Sequence, residues 1–293
     1  MGFTCPNIDG TVARGGCVFC ENESFSPNLG VVHPPKRFRL HLESKENPFL
    51  EEQLAQLEAQ VIETRSKLAH KFNAEKFLVY FQSFTNTYAP LETLKVLYEK
   101  ALSLKGVVGI SVGTRTDAIT EETLDYLATL AERHEVWIEF GVQSCYEETL
   151  EKINRGHTFA NTVEWIRKAK ARGLHVCGHL IFGLPDETPR MMLTSLEATL
   201  DSGVNALKIH PLYVTKRTLL AQQYAKGAFV PMEETAYIDT LIQALKIIPD
   251  TVVVQRITAG VDDDSLLAPQ WCGNLKQQRK HIRLALEKAG LVY

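Results

Sequence analysis

Five short runs rich in β-branched and aromatic residues, at 77–84, 107–114, 136–143, 175–182 and 206–212, alternate with amphipathic stretches at 48–70, 90–104, 121–133, 161–172 and 189–202. A strand followed each time by a helix-length crossover pairs parallel with the next strand, so the alternation predicts a parallel sheet wrapped by helices. Gly106, Gly173 and Gly203 supply the stops of three of those helices. Such a series builds a barrel or part of one, with its site at the C-terminal ends of the strands. The 293 residues, 45% of them hydrophobic, suffice for one large α/β domain or one domain with a small appendage.

No apolar run approaches the roughly twenty residues of a membrane-spanning helix, and the start lacks a charged segment followed by an apolar one. The expectation is a cytoplasmic protein without membrane contact, whose thiols stay reduced. The six cysteines then read as ligands or core residues, the scattered Cys145, Cys177 and Cys272 being of the second kind.

Cys5, Cys17 and Cys20 are of the first kind, spaced C-x11-C-x2-C around a loop that holds Gly10, Gly15 and Gly16. An iron–sulfur cubane takes four thiolates and structural zinc takes four ligands, so three thiolates leave one position open. Two readings follow from the spacing: a cluster with an open iron, or a zinc site completed by His33 or His41.

Polar side chains gather at the strand tips: Gln82-Ser83-Phe84-Thr85-Asn86, Thr114-Arg115-Thr116-Asp117, Glu139 to Ser144, His179, and Lys208-Ile209-His210-Pro211-Leu212-Tyr213. They converge on one mouth if the barrel closes. Glu139 and Gln143, four residues apart on a strand, point to one face, and an inward carboxylate needs a partner: a bound ligand, Arg115 or Lys208. His157, His210, Asp117 and Tyr88 read either as structural groups or as substrate-side residues.

The strings GFTCPN, GGCVFC, FTNTYAP, INRGHT and HLIFGLP resemble the YhcC-like family of radical S-adenosylmethionine (SAM) enzymes, which is related to the catalytic subunit of Elongator and to coproporphyrinogen-dehydrogenase-like proteins. The resemblance covers nearly the whole chain. It implies an α/β fold, a partial (β/α)6 TIM-like barrel of the radical SAM type over 1–213, with a C-terminal α+β extension over 214–293 packed on that core. The relatives have a strand leading into GFTCPN, and here Met1 stands directly before Gly2, so the first barrel strand is expected to be missing.

The activity the resemblance implies is reductive cleavage of SAM to a 5′-deoxyadenosyl radical, with a 4Fe-4S cluster held by Cys5, Cys17 and Cys20. Its SAM site falls on Phe19 near the adenine, on Gln82, Ser83 and Thr85 in place of the usual Gly-Gly-Glu, and on Gln143 with Arg155, whose guanidinium suits the SAM carboxylate. Glu139, His179, Ile181, Gly183, Leu212 and Tyr213 complete the set; His179 stands where the porphyrinogen relatives carry an acidic residue.

An electron donor such as flavodoxin or ferredoxin is the implied partner. The Elongator likeness points to a tRNA wobble uridine as substrate, and the porphyrinogen likeness to a small tetrapyrrole-like molecule. The net charge of −3 gives no global pull toward nucleic acid, but Lys36, Arg37 and Arg39, and Lys276, Arg279, Lys280, His281 and Arg283, form two local basic clusters. A zinc-stabilised or degenerate barrel acting as a binding or regulatory protein is the competing class. After residue 213 the sequence predicts a helix at 232–247, a β-like run at 252–257, a solvated Asp262-Asp263-Asp264 turn and a final helix, which together cap the barrel or shape its entrance.

Overall fold

The computed structural model describes residues 3–21 and 40–291. One helical turn, α1 (Pro6–Asp9), lies in the first stretch and α2 (Leu50–Phe72) opens the second. Strands and helices then alternate as β1 (Phe77–Phe81), α3 (Leu91–Ser103), β2 (Val107–Thr114), α4 (Glu121–Ala131), β3 (Glu135–Gln143), α5 (Glu147–Lys152), α6 (Phe159–Ala171), β4 (His175–Phe182), α7 (Pro189–Asp201) and β5 (Ala206–Pro211). The remainder holds β6 (Val214–Thr215), α8 (Leu219–Ala225), α9 (Glu234–Ile247), β7 (Val253–Arg256), β8 (Leu266–Ala268) and α10 (Leu275–Lys288).

Six strands form one parallel sheet in the order β1-β2-β3-β4-β5-β7, curled into a half-barrel. The β-like run near residue 252 is thus the edge strand of the main sheet, paired with β5. Ahead of β1, Phe3 bridges Leu40 in parallel and the Thr4 carbonyl accepts from the Thr85 amide, so this stretch runs along the tip of β1. β1 stops at Phe81, short of the expected 84, because the backbone turns off at Phe84, whose φ is 65°. No described helix is long and apolar enough to cross a membrane.

Central strands are buried on both faces, as their unbroken apolar runs require. Ile110, Val112, Ile138, Phe140, Val176 and Leu180 pack under Leu94, Leu97, Leu124, Leu127, Ile166 and Leu196 of the helices. Each such side chain contributes about 1.5–3 kcal/mol by leaving water. Tyr237, Ile238 and Leu241 of α9 and Ile282 and Leu286 of α10 belong to the same core. Tyr237 donates its hydroxyl to the Ile257 carbonyl at 2.9 Å, which ties α9 to the end of β7.

Four of the helices start the same way. Thr120, Thr158, Thr188 and Thr218 each accept a bond from the amide three residues on, which satisfies an otherwise orphaned donor at the start of α4, α6, α7 and α8. The caps set where each strand-tip loop ends and its helix begins.

Candidate active site

The loop from Cys5 to Cys20 is held by backbone bonds at three places. Thr4 pairs with Thr85, Val18 donates to the Ile153 carbonyl, and the Val18 carbonyl accepts from Leu220. Asn7, fully buried, is the side chain that locks it. Its Nδ2 donates to the Arg155 carbonyl at 3.1 Å and to the Asn154 carbonyl, and its Oδ1 accepts from Arg115 Nη2 at 3.1 Å. In return Asn154 donates to the Gly16 carbonyl at 2.7 Å. Gly156 closes this turn with a φ of 79°, and a Cβ there would stand 2.7 Å from Asn7 Oδ1, so only glycine fits.

Arg115 carries the lock inward. Its guanidinium forks onto both Asp117 oxygens at 2.8 and 2.6 Å, donates to the Arg155 carbonyl at 2.5 Å and lies 3.8 Å from Cys17 Sγ. Burial works against both charges, but the pairing outweighs it. Arg115 is raised above its ordinary pKa, and bonds from His157 and Arg115 hold Asp117 below the usual carboxylate range. His157 is the neutral member: burial first, and the Arg155 charge second, bring it down to about 4. Tyr88 donates to Thr11 Oγ1 at 2.8 Å. Asp117, His157 and Tyr88 therefore hold the cysteine loop, whereas the sequence alone left them open as substrate-side residues.

A second charged cluster lies across the sheet. Glu139 accepts from Ser111 Oγ at 2.5 Å, meets His179 Nε2 at 2.5 Å and pairs with Lys208, whose ammonium sits 4.2 Å from the centre of the Tyr80 ring. Burial raises the pKa of Glu139, yet the bond from His179 and the charge of Lys208 hold it well below the ordinary range. His179 and His210, rings 5.6 Å apart, are both pushed down by burial. Of the partners open for Glu139, Lys208 takes it, and Arg115 is committed to Asp117.

Both clusters face one cavity of about 480 Å³, a size typical of small-molecule sites. Cys5, Cys17, Cys20, Phe19, Gln82, Ser83, Thr85, Glu139, Gln143, Arg155, His179, Ile181, Leu212 and Tyr213 all line it. Gly183 does not; it sits in the turn after β4 with a φ of 90°, and a Cβ there would come 3.1 Å from the Met232 side chain. The alternation that should put Glu139 and Gln143 on one face is broken by an irregularity between Gly141 and Gln143, whose φ is 70°. That turn re-aims Gln143, and both residues still reach the cavity. Arg155 donates to the Gly141 carbonyl at 2.6 Å and to Cys17 Sγ at 3.6 Å, while its Nε is buried without a partner.

All three loop cysteines are free, and burial, with Cys17 and Cys5 nearby, pushes the Cys20 thiol up to about 12. Glu139, Cys177 and His179 bring their ligand atoms within 4.8 Å of one another. His41, named above as a fourth zinc ligand, is exposed and turns back to accept from the Glu43 amide. His33, Lys36, Arg37 and Arg39 lie outside the described residues. In the other basic cluster, His281 pairs with Glu234 and Arg283 with Glu287, while Arg279 lines the cavity.

The lining also contains residues the sequence reading did not single out, Tyr80 and, from the last segment, Arg256, Thr258, Ala259, Gly260 and Leu275. Arg256 closes the run that became β7. A sixth strand tip in the series was the available signal.

A parallel half-barrel with three free cysteines on a loop at its strand tips defines a class of cofactor enzymes rather than a binding module. The family model of the radical SAM superfamily matches residues 10–198, and that of the radical SAM C-terminal domain matches 204–288. The chain belongs to the radical SAM superfamily, in the group that contains YtqA and YhcC. YtqA of Bacillus subtilis is 36% identical over 289 residues, covering 99% of this chain and 83% of its own length. YhcC of Escherichia coli is 36% identical over 274 residues, covering 93% of this chain and 81% of its own. Archaeal Elp3 of Methanocaldococcus infernus has the same fold, with a TM-score of 0.64 at 21% identity over 84% of this chain and 62% of that one.

The chain is accordingly a radical SAM enzyme, with a 4Fe-4S cluster and SAM as its cofactors and a reductant as its electron source. The cavity suits both groups chemically. Three free thiols line it, and a buried guanidinium there has an Nε left to donate.

Proposed function

We propose that Cys5, Cys17 and Cys20 ligate three irons of the cluster, and that SAM lies beside them between Phe19, the Gln82-Ser83-Thr85 tip, Gln143 and Arg155. When bound, the cluster supplies one electron that splits the S–C5′ bond of SAM into methionine and the 5′-deoxyadenosyl radical. Arg155 holds the carboxylate of the methionine moiety, freeing the bond it now makes to Cys17. Ile181, Leu212 and Tyr213 flank the adenine and keep water from it. Glu139 and His179 present hydrogen-bonding groups to the ribose while Lys208 balances the carboxylate, and Gly183 acts from behind by shaping the turn after β4. The electron donor is a flavodoxin or ferredoxin.

The observation that carries this reading is the meeting of three free thiols and an under-bonded guanidinium on one cavity. Anaerobic reconstitution with iron and sulfide should give a brown protein with about four irons per chain, and dithionite should then release 5′-deoxyadenosine from SAM. Cys17→Ala should abolish both. A colourless chain that retains one zinc would overturn the assignment and favour a structural metal.

For the substrate we infer a tRNA, from one specific likeness. The tRNA uridine(34) acetyltransferase of Methanocaldococcus infernus is 30% identical over 153 residues, 51% of this chain and 28% of its own. Lys276 and Lys280 on α10 would meet its phosphates. Their replacement by Gln should weaken tRNA binding and flatten its salt dependence; binding that is absent in the parent chain would turn the choice to a small tetrapyrrole-like substrate.

A further inference from the structure

The cavity has a wall that the cofactor reading leaves unused. β7 ends in Arg256, and Leu275 and Arg279, four residues apart on one face of α10, front the same space. Neither Arg256 nor Arg279 has an ion-pair or hydrogen-bond partner among the described residues. The acidic group in the lining is Glu139, already matched by Lys208 and bonded by His179 and Ser111. Across the cavity the other two arginines are both engaged, Arg115 by Asp117 and Arg155 by Gly141 and Cys17. One side of the cavity thus carries two guanidiniums that form no ion pair among the described residues.

That side is rigid. A Cβ on Gly260 would fall 1.9 Å from the Cys272 carbonyl oxygen, so the backbone at 259–260 is pressed directly on the turn that leads into α10. Gln278, fully buried, donates to the Ala259 carbonyl at 3.2 Å and pins the same stretch. The first turn of α10 adds the positive end of its backbone dipole at Leu275. Guanidiniums carried on a fixed strand tip and a fixed helix turn can grip a carboxylate or a phosphate through paired N–H donors. His179 and His210, rings 5.6 Å apart, line the same cavity.

We propose that Arg256 and Arg279 form an anion clamp for the substrate, which therefore carries a phosphate or carboxylate group that it buries against the C-terminal wall of the cavity. The proposal rests on the reading above that the cysteine loop marks the chemical end of the cavity. The clamp fixes the opposite end, so the carbon that gives up its hydrogen lies between the two.

The test uses the full chain, reconstituted and saturated with SAM, with inorganic phosphate and acetate as probes followed by 31P and 13C line broadening. Millimolar binding of one probe is expected, weakened about tenfold by Arg256→Gln and by Arg279→Gln, restored in part by Arg256→Lys, and unchanged by Lys288→Gln at the far end of α10. Preference for phosphate assigns a phosphorylated or nucleotide substrate; preference for acetate assigns a carboxylic acid. Arg279 is exposed, so its variant reads out even where Arg256→Gln fails to fold. Failure of both probes to bind, or equal binding by the parent and Arg279→Gln, overturns the clamp. Iron content and SAM cleavage of the parent chain are scored separately. A chain that cleaves SAM yet binds no anion refutes the clamp alone, and one that binds anions through these arginines but holds no iron refutes the radical reading alone.

Discussion

Asn7 and Arg115 stand 108 positions apart in the chain and share one bond, 3.1 Å long, that ties the cysteine loop to the tip of β2. The motif strings named residues that the fold brings to one cavity, because those residues sit at successive strand tips. What holds the motif in place was hidden, since nothing in the string marks Asn7, Asp117 and His157 as neighbours. Asp117→Asn would leave the buried Arg115 without its counter-charge, a loss of about 3 kcal/mol, visible as a lower urea midpoint and as poorer iron retention on reconstitution. An unchanged midpoint would contradict the anchoring role.

His157 gives the same region a pH signature. With a folded pKa near 4 against about 6.5 when unfolded, the unfolded chain binds a proton that the folded one refuses. Stability is therefore complete above about pH 6.5 and declines as pH falls toward about 4, by on the order of 3 kcal/mol in all. Asp117 and Glu139, both depressed, lose their contributions only further down, below the ordinary carboxylate pKa. Urea midpoints of the metal-free chain between pH 7.5 and 4.5 should slope accordingly, and His157→Asn should remove its share of the slope, leaving that of His179 and His210, which burial also lowers.

Elements long enough to show a period were legible. β2 and β4 fall on the predicted 107–114 and 175–182, and α3, α4 and α7 begin and end within two residues of expectation. α5 and α8, of six and seven residues, were missed because so short a helix shows less than two turns of apolar spacing. β7 was visible as a β-like run, but its membership of the main sheet depends on a partner far upstream. The threonine caps tie this scale to the site: Thr158 starts α6 immediately after the turn of Gly156 and His157. Thr158→Ala should cost about 1 kcal/mol by thermal unfolding, and it should also broaden the NMR signals of the Arg155–His157 turn.

The half-barrel and the segment after residue 213 share one hydrophobic core, through Tyr237, Leu241, Ile257, Ile282 and Leu286. A chain ended at 213 would lose the β7 edge and expose the apolar face beneath α9 and α10. It should unfold non-cooperatively or precipitate, as followed by calorimetry, and a sharp transition would show that the core is self-sufficient. Composition and periodicity pointed to an α/β unit, and β7 from the last segment is part of its main sheet. The cap's contribution of a strand and two arginines to the cavity was not readable, because the residues that line a cavity are assembled by the curl of the sheet.

The two walls of that cavity come from distant parts of the sequence, Cys5 to Cys20 on one side and Arg256 to Arg279 on the other. On a ribosome the thiols emerge before the arginine wall. Throughout that interval the cysteine loop faces an open trough, accessible to whatever delivers iron and sulfide. Once α10 has docked, Leu275 and Arg279 line that side of the cavity. Loading during synthesis and loading after release are thus two different routes for this protein, and the order of its own sequence sets when the first one closes.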